Sequence, residues 1–325
     1  MRRVVIEEHF WSDALETNGC YTDGPSPFTR ATMDEVRSRL TDFTEHRLPD
    51  MDRDGIDVQV LSLTAPGISM QPDIAVAVSD ARRANDILAG VIRGHPDRFA
   101  GFATLALQDV PAAVVELERC IGELGFVGVL VNDHTLGHYL DEPVFEPLWD
   151  RLEHLGVPLY LHPSASFDQW HVLDGHPELQ GATWAFQAAT GGHAMRLVFG
   201  KVFDRHPDAQ LILGHMGEFL PFQLSRFDDC AQSLVLPEPL DHPPSEYFGR
   251  NIVITTTGVF SHAVLLAAIA IMGIDNIMLS TDYPYDDAGK AVRFLDTAPI
   301  ADSDRRKIAH ANADRILSLT AHASG

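Results

Sequence analysis

The sequence predicts an α/β fold: a closed (β/α)8 barrel of the TIM type with long active-site loops. Three observations carry this. Eight short apolar, β-branched runs recur along 325 residues. Helix-length segments separate most of them, and parallel neighbours in a sheet need such a crossover. No glycine-rich phosphate turn follows the first run, which disfavours a doubly wound open sheet. The length suits one such barrel, a single domain over residues 1–325, because these barrels often pass ~250 residues.

The predicted strands, in order, are Val4–Glu8, Val58–Leu63, Ala100–Ala103, Val127–Val131, Pro158–His162, Ala209–Gly214, Ile252–Thr256 and Ile277–Ser280. The helices between them follow from spacing and end signals. Ile74–Arg93 carries Ala, Val and Leu at helical spacing and stops before Gly94-His95-Pro96. Val110–Gly122 follows Asp109, a natural N-cap, and Glu142–Leu155 ends at Gly156, a natural C′ glycine. Trp184–Arg205 ends before His206-Pro207, His262–Met272 stops at Gly273, and Ser303–Leu319 closes the barrel. Two long polar stretches, Trp11–Thr32 (with Gly19, Gly24, Pro25 and Pro27) and Ser164–Gly181, follow strand ends. Loops of that length in a barrel enzyme belong to the catalytic face. Asp228–Pro244 reads as a surface excursion.

Composition removes several function classes. Lys and Arg number 24 against 46 Asp and Glu, a formal charge of −22. Such a surface repels phosphate backbones and anionic lipid, so neither nucleic acid nor membrane is expected as a partner. No apolar run reaches the ~18–20 residues of a membrane span, and the N-terminus opens directly on a strand, so a cytoplasmic location is expected. The three cysteines, Cys20, Cys120 and Cys230, are far apart and form no CxxC pair. They read as small hydrophobes rather than as a disulfide framework or a zinc site.

Chemistry gathers at strand ends. The first strand ends Glu7-Glu8-His9. Side chains alternate along a strand, so Glu7 and His9 share a face and can share one divalent ion, while Glu8 points away. The fifth strand stops at His162, the sixth runs into His215-Met216-Gly217-Glu218, and the eighth reaches Asp282. Each alone could be a solvated strand end. Together, four strands deliver a ligating or proton-transferring group to one rim. Mixed imidazole and carboxylate ligands suit Zn²⁺, Mn²⁺ or Fe²⁺ better than Ca²⁺ or Cu⁺.

On these motifs the chain resembles the amidohydrolase superfamily. They are Glu7-x-His9, Tyr160-Leu161-His162-Pro163, Leu213-Gly214-His215-Met216-Gly217-Glu218 and Ser280-Thr281-Asp282-Tyr283-Pro284. Within it, the chain is similar to the aminocarboxymuconate-semialdehyde-decarboxylase-like branch. The Glu7-Glu8-His9 opening points further, to the metal-dependent ortho-hydroxybenzoate decarboxylases, the γ-resorcylate and 2,3-dihydroxybenzoate group. Further matching stretches are Leu61–Pro66, Asp174–Pro177, Thr183–Phe186 and Phe203–Pro207.

The resemblance implies a carboxy-lyase that protonates a ring carbon of a small hydroxylated aromatic acid and releases CO₂. It implies one divalent ion per subunit, Mn²⁺ or Zn²⁺, on Glu7, His9, His162 and Asp282. Asp282 would deliver the proton, with the His215–Glu218 pair orienting and tuning the site. Whether Asp282 or that pair is the donor stays open. Arg226 would contact the substrate carboxylate, or else be a surface residue paired with Asp228 or Asp229. Asn132 would line the pocket, or else be a turn residue. Trp184, Phe186 and Tyr285 would wall an aromatic slot, or else pack in the core. His176 and His193 are expected in structural roles, and His134, His138 and His171 as solvated. Asn312, Arg315 and Leu317 are expected to pack.

Two stretches depart from the family pattern, Asp133-His134-Thr135 and the loop from Pro163 to Leu173, so substrate identity is the least secured expectation. A homodimer or homotetramer is expected by resemblance. The alternative activity is a hydrolase or hydratase on a lactone, amide or enol acid. A non-catalytic scaffold is disfavoured because the set Glu7, His9, His162, His215 and Asp282 is complete.

Overall fold

The structure, a computed structural model, describes residues 1–17, 30–168 and 170–319. Cys20 and the turn residues of the first long loop lie outside them. Eight strands appear in order: β1 (Val4–Phe10), β2 (Val58–Leu63), β3 (Phe99–Gly101), β4 (Val129–Asn132), β5 (Leu159–His162), β6 (Leu211–Leu213), β7 (Ile252–Thr255) and β8 (Ile277–Met278). β1 to β3 pair in sequence order, as do β4 to β8, all in parallel. Both seams are joined. Ala103 bridges Val129 in parallel. At the other seam His9 N–H donates to Tyr283 O at 2.8 Å, and Glu7 N–H donates to Ser280 Oγ at 2.7 Å.

The barrel interior confirms the ring. One buried cluster takes side chains from every strand or its immediate end: Val4 and Ile6, Val60, Phe102, Leu130, Tyr160, Ile212, Val253 and Met278. Ala313, Ile316 and Leu317 of the C-terminal helix plug its floor. Asn312 pins that helix by donating to Ile274 O and Ile277 O. A larger apolar shell between strands and helices includes Val5, Leu61, Leu161, Leu213, Ile254 and Trp149. Each fully buried Leu or Ile contributes about 1.5–3 kcal/mol relative to exposure.

The predicted N-cap is present: Asp109 accepts from Ala112 N at the head of Val110–Gly122. Asp73, not singled out from the sequence, likewise accepts from Ala75 N and Val76 N at the head of helix Ile74–Gly94. Gly156 ends Glu146–Leu155 at φ 63°, the left-handed conformation glycine adopts without penalty.

Some expectations fail. The predicted helix Trp184–Arg205 is broken into Ala185–Phe199 and Val202–Arg205, because Lys201 turns left-handed at φ 59°. The expected loop Trp11–Thr32 ends early, since helix Arg30–Leu40 opens inside it. Residues expected in the Asp228–Pro244 excursion instead finish helix Leu224–Ser233, and Pro244 opens Pro244–Tyr247. The sequence reading missed helices Arg30–Leu40, Arg47–Asp54 and Ala288–Thr297. The first two are rich in charge, and Arg47 is itself buried, so no apolar stripe announces them. Among the described residues no helix is long and apolar enough to cross a membrane.

Candidate active site

A β-bulge places the first two ligands. Val5 pairs with Gln59, but Glu8 pairs with Leu61, so β1 has one extra residue against β2. Ile6 fills the barrel interior beside Tyr160, and Glu7 also turns inward to meet the Tyr160 hydroxyl. Without the bulge, strict alternation from Val4 and Ile6 would have sent Glu8 inside and Glu7 out.

Glu7, His9, His162 and Asp282 each present one ligand atom, and these four atoms lie within 4.8 Å of one another. His9 Nε2 stands 3.1 Å from Asp282 Oδ1, and His162 Nε2 stands 3.6 Å from Glu7 Oε1. The two imidazoles meet edge to face, their centroids 4.5 Å apart. All but Asp282 are buried, and Asp282 is half-buried.

The remaining atoms of these side chains are held elsewhere. Glu7 Oε2 accepts from the Tyr160 hydroxyl and from Thr257 Oγ1, with Thr255 Oγ1 at 3.4 Å. His162 Nδ1–H donates to Asn132 Oδ1 at 3.0 Å, and His9 Nδ1 faces Ser62 Oγ at 3.3 Å. Both rings therefore turn Nε2 to the common point. There Glu7 Oε1, His9 Nε2 and Asp282 Oδ1 are buried without a hydrogen-bond partner among the described residues. Buried polar atoms normally find partners, so three orphans facing one another fit a divalent cation. Partners on the far side of each ligand are the usual way to fix its tautomer and direction.

The electrostatics agree. Burial holds His9 down at about 4, with the Glu7 carboxylate opposing it, and pushes His162 well below the usual range. Both imidazoles are thus neutral, the ligating form. Burial acts to raise Glu7, but charged His215 and the Thr257 and Tyr160 hydroxyls outweigh it and keep the carboxylate ionised. Burial and the Glu7 charge push Asp282 well above the carboxylate range.

His215 stands beside the cluster, its Nε2 3.7 Å from Glu7 Oε1, and its Nδ1–H donates to Glu218 at 2.7 Å. Burial opposes its charge, yet the Glu218 and Glu7 carboxylates win and raise it well above the usual range. The pair sits on an unusual turn. His215, Met216, Gly217, Glu218 and Phe219 all have φ between 49° and 78°. A run of left-handed residues is costly outside glycine. It brings residues three apart back into contact.

Other predicted site residues are placed as follows. Tyr285 stands over His9, ring centroids 5.8 Å apart, with its hydroxyl 2.6 Å from Thr64 Oγ1. Asn132 engages His162 and, at 3.4 Å, Leu63 O, so it orients a ligand, a role its motif did not announce. Trp184 is exposed and packs on Phe219 at 5.9 Å, and Phe186 is half-buried. Arg226 is exposed on its helix beside a surface hollow with Ser225, Asp229 and Cys230. No hydrogen bond or ion pair links it to the ligand group among the described residues. His134 corrects its expectation: it is fully buried, and its Nε2 meets Ala165 O at 3.0 Å. His193 is buried between Asp133 and Leu140 N. His138 and His171 are exposed as expected; His176, expected in a structural role, is exposed as well and pairs with Glu178. Tyr160, Thr255 and Thr257 were missed. A tyrosine within an apolar strand and two threonines at a strand end look like ordinary β-formers, and only their distance to Glu7 reveals them.

A family model described as amidohydrolase matches residues 8–319. The chain is 41% identical over 327 residues to a γ-resorcylate decarboxylase of Rhizobium sp. (strain MTP-10005), covering 98% of each chain. It is similar to the crystal structure of a 2,6-dihydroxybenzoate decarboxylase from Rhizobium, with a TM-score of 0.88, 40% identity and 98% of each chain covered. It is also similar to a dihydroxybenzoic acid decarboxylase from Polaromonas sp. JS666. That structure carries manganese and the inhibitor 2-nitroresorcinol, with a TM-score of 0.89, 37% identity, and 98% and 97% of the two chains covered.

Proposed function

The chain belongs to the amidohydrolase family, and we propose that within it the protein is a metal-dependent carboxy-lyase that removes CO₂ from an ortho-hydroxybenzoate. The observation that carries this is the set of buried orphan atoms on Glu7, His9 and Asp282, gathered beside His162 at one mouth of the barrel. The full-length similarity to hydroxybenzoate decarboxylases selects the reaction.

Glu7, His9, His162 and Asp282 would hold one divalent ion, Mn²⁺ or Zn²⁺. When bound, it would supply a positive centre that favours the ionised phenol and carboxylate oxygens of the substrate. The protein does the rest. Asp282, which burial and the Glu7 charge favour in its protonated form while no ion is bound, would take up a proton as substrate binds and give it to the ring carbon that bears the carboxylate. That carbon becomes tetrahedral. The bond to the carboxylate then breaks, its electron pair restores the ring, and CO₂ departs. Asp282 regains a proton from solvent. A general acid at neutral pH needs a raised pKa, and in the metal-free protein burial and the Glu7 charge push Asp282 in that direction. Protonated His215, tied to Glu218, keeps a positive charge facing Glu7. Tyr285, latched to Thr64 and standing over His9, gives the ring a wall.

The remaining assignments are of the same kind. Trp184 and Phe186 are outer walls of the slot. Arg226, exposed on its helix, would contact the substrate carboxylate. The chain works as one domain, in the cytoplasm, as a homodimer or homotetramer; light scattering on the purified protein reads the last.

Purified protein loaded with Mn²⁺ is expected to release CO₂ from at least one member of a panel of ortho-hydroxybenzoates. In D₂O one deuterium should appear at the vacated ring position. Chelation or Asp282→Asn should abolish both. Water in the product with no gas would replace this reading with the hydrolase or hydratase.

A further inference from the structure

We propose that Glu8 is a positioning residue: facing away from the ligand cluster, it clasps the backbone on both sides of Asp282 and so ties the Asp282 half of the site to the Glu7–His9 half. The proposal rests on the reading of Asp282 as ligand and proton donor.

Glu8 is fully buried. Its two oxygens accept from Thr281 N at 3.0 Å, Thr281 Oγ1 at 2.7 Å and Tyr283 N at 3.3 Å, with Ser280 Oγ at 3.4 Å. These donors belong to the residues immediately before and after Asp282. Asp282 itself holds φ 59°, a left-handed conformation that side chains rarely adopt without support. β8 ends at Met278, so no ladder bonding fixes this segment as a strand. β1 supplies most of what fixes it: Glu8 by side chain, His9 N–H to Tyr283 O at 2.8 Å, and Glu7 N–H to Ser280 Oγ at 2.7 Å, with Ser280 N–H donating to Thr256 Oγ1 at 3.3 Å beside β7.

A carboxyl group suits this task, because its two oxygens can accept several hydrogen bonds at once. Burial pushes the Glu8 carboxyl up to about 8, opposed by the Thr281 bonds and the Arg47 charge. Its rear is supported by buried Arg47. That guanidinium donates to His9 O and to Gln59 Oε1 (3.0 Å), lies over the Tyr283 ring at 4.6 Å, and Gln59 Nε2 approaches Glu8 at 3.5 Å. The residue between two ligands of one strand thereby sets the place of a ligand about 270 residues away. The bulge in β1 makes this possible, because it turns Glu7 in and leaves Glu8 facing the β8 end.

A double-mutant cycle on metal affinity tests the proposal without any substrate. Mn²⁺ is titrated calorimetrically into metal-free wild type, Glu8→Gln, Asp282→Ala and the double variant. Glu8→Gln keeps size but replaces one acceptor oxygen by a donor. In the wild-type background it should weaken Mn²⁺ binding about 10- to 100-fold, the range for partners that orient ligands. In the Asp282→Ala background the same change should cost less than about twofold, because the ligand it acts through is gone. An equal penalty in both backgrounds, or no penalty in either, overturns the proposal. If Glu8→Gln does not fold, Thr281→Val replaces it in the cycle, with Thr281→Ser expected to restore affinity. Failure of that restoration counts against the clasp. Wild type that binds Mn²⁺ but decarboxylates no phenolic acid would end the functional reading while the cycle still decides the role of Glu8. Wild type that binds no Mn²⁺ or Zn²⁺ would end both.

Discussion

Gly214 stands where β6 hands the chain to His215, and a single methyl there should disable the metal centre without replacing a ligand. Its backbone is ordinary, φ −68° and ψ −175°, so alanine meets no conformational penalty. The added carbon would instead stand 2.9 Å from Glu7 Oε1, 3.0 Å from the Tyr160 hydroxyl and 3.1 Å from Glu7 Oε2. Relaxed carbon–oxygen contacts need roughly 0.3–0.5 Å more than that, so something must move. Glu7 cannot yield cheaply, because Thr257 and Tyr160 grip its Oε2 and the residue is wholly buried. Overpacking of this kind costs about 1–3 kcal/mol. A ligand pushed by more than ~0.2 Å leaves the tolerance of a metal–oxygen bond. Gly214→Ala should therefore lower the unfolding free energy of the metal-free protein by about 1–3 kcal/mol in a urea titration. It should also weaken Mn²⁺ binding by tenfold or more, since each 1.4 kcal/mol is a factor of ten. Gly214→Ala protein with wild-type Mn²⁺ affinity and an unchanged urea midpoint would show that Glu7 is not pinned as described, and the account of the site would fall with it.

Three further outcomes follow from the same geometry. Asn132→Leu removes the acceptor that holds the His162 Nδ1 proton, and should reduce Mn²⁺ affinity or turnover about 10- to 100-fold; an unaffected variant would mean the tautomer is set by something else. The pH dependence has a definite sign: His9 is held at about 4 by burial against an unfolded value near 6.5, so between those values the unfolded chain takes up a proton that the folded one refuses. The metal-free protein should thus lose stability as pH falls through that window, and His9→Gln should flatten the loss in urea midpoints measured from pH 7 to pH 5; parallel curves would contradict the burial argument. Gly217→Ala puts a methyl at φ 78°, 2.8 Å from Pro221 Cγ and 2.9 Å from Ile254 Cγ2, and should cost about 1–3 kcal/mol of stability, read by thermal unfolding.

The eight strands were legible because barrel strands are apolar runs with punctuated ends, and the pattern survives without knowledge of contacts. The ligands were legible for a related reason: Glu7, His9, His162 and Asp282 interrupt or end apolar runs where a buried charge would otherwise be costly. The polar helix Arg47–Asp54 escaped, since two of its three buried residues are charged, Arg47 and Asp50, and Arg47 has partners on β1 and β2. His134 escaped too; its neighbours Asp133 and Thr135 look like loop, yet the ring is sealed beneath Ala165 and Phe167.

Which residue types stand at the rim, and in what order along the chain, is written in the one-dimensional pattern, because burial and strand alternation act over two to five residues. Which atom of each points at the metal is not. That depended on the β1 bulge, on Thr257 meeting Glu7 across 250 positions, on Asn132 reaching His162, and on the left-handed turns at Asp282 and His215. These are distances between segments remote in sequence, and they exist only once the barrel has closed.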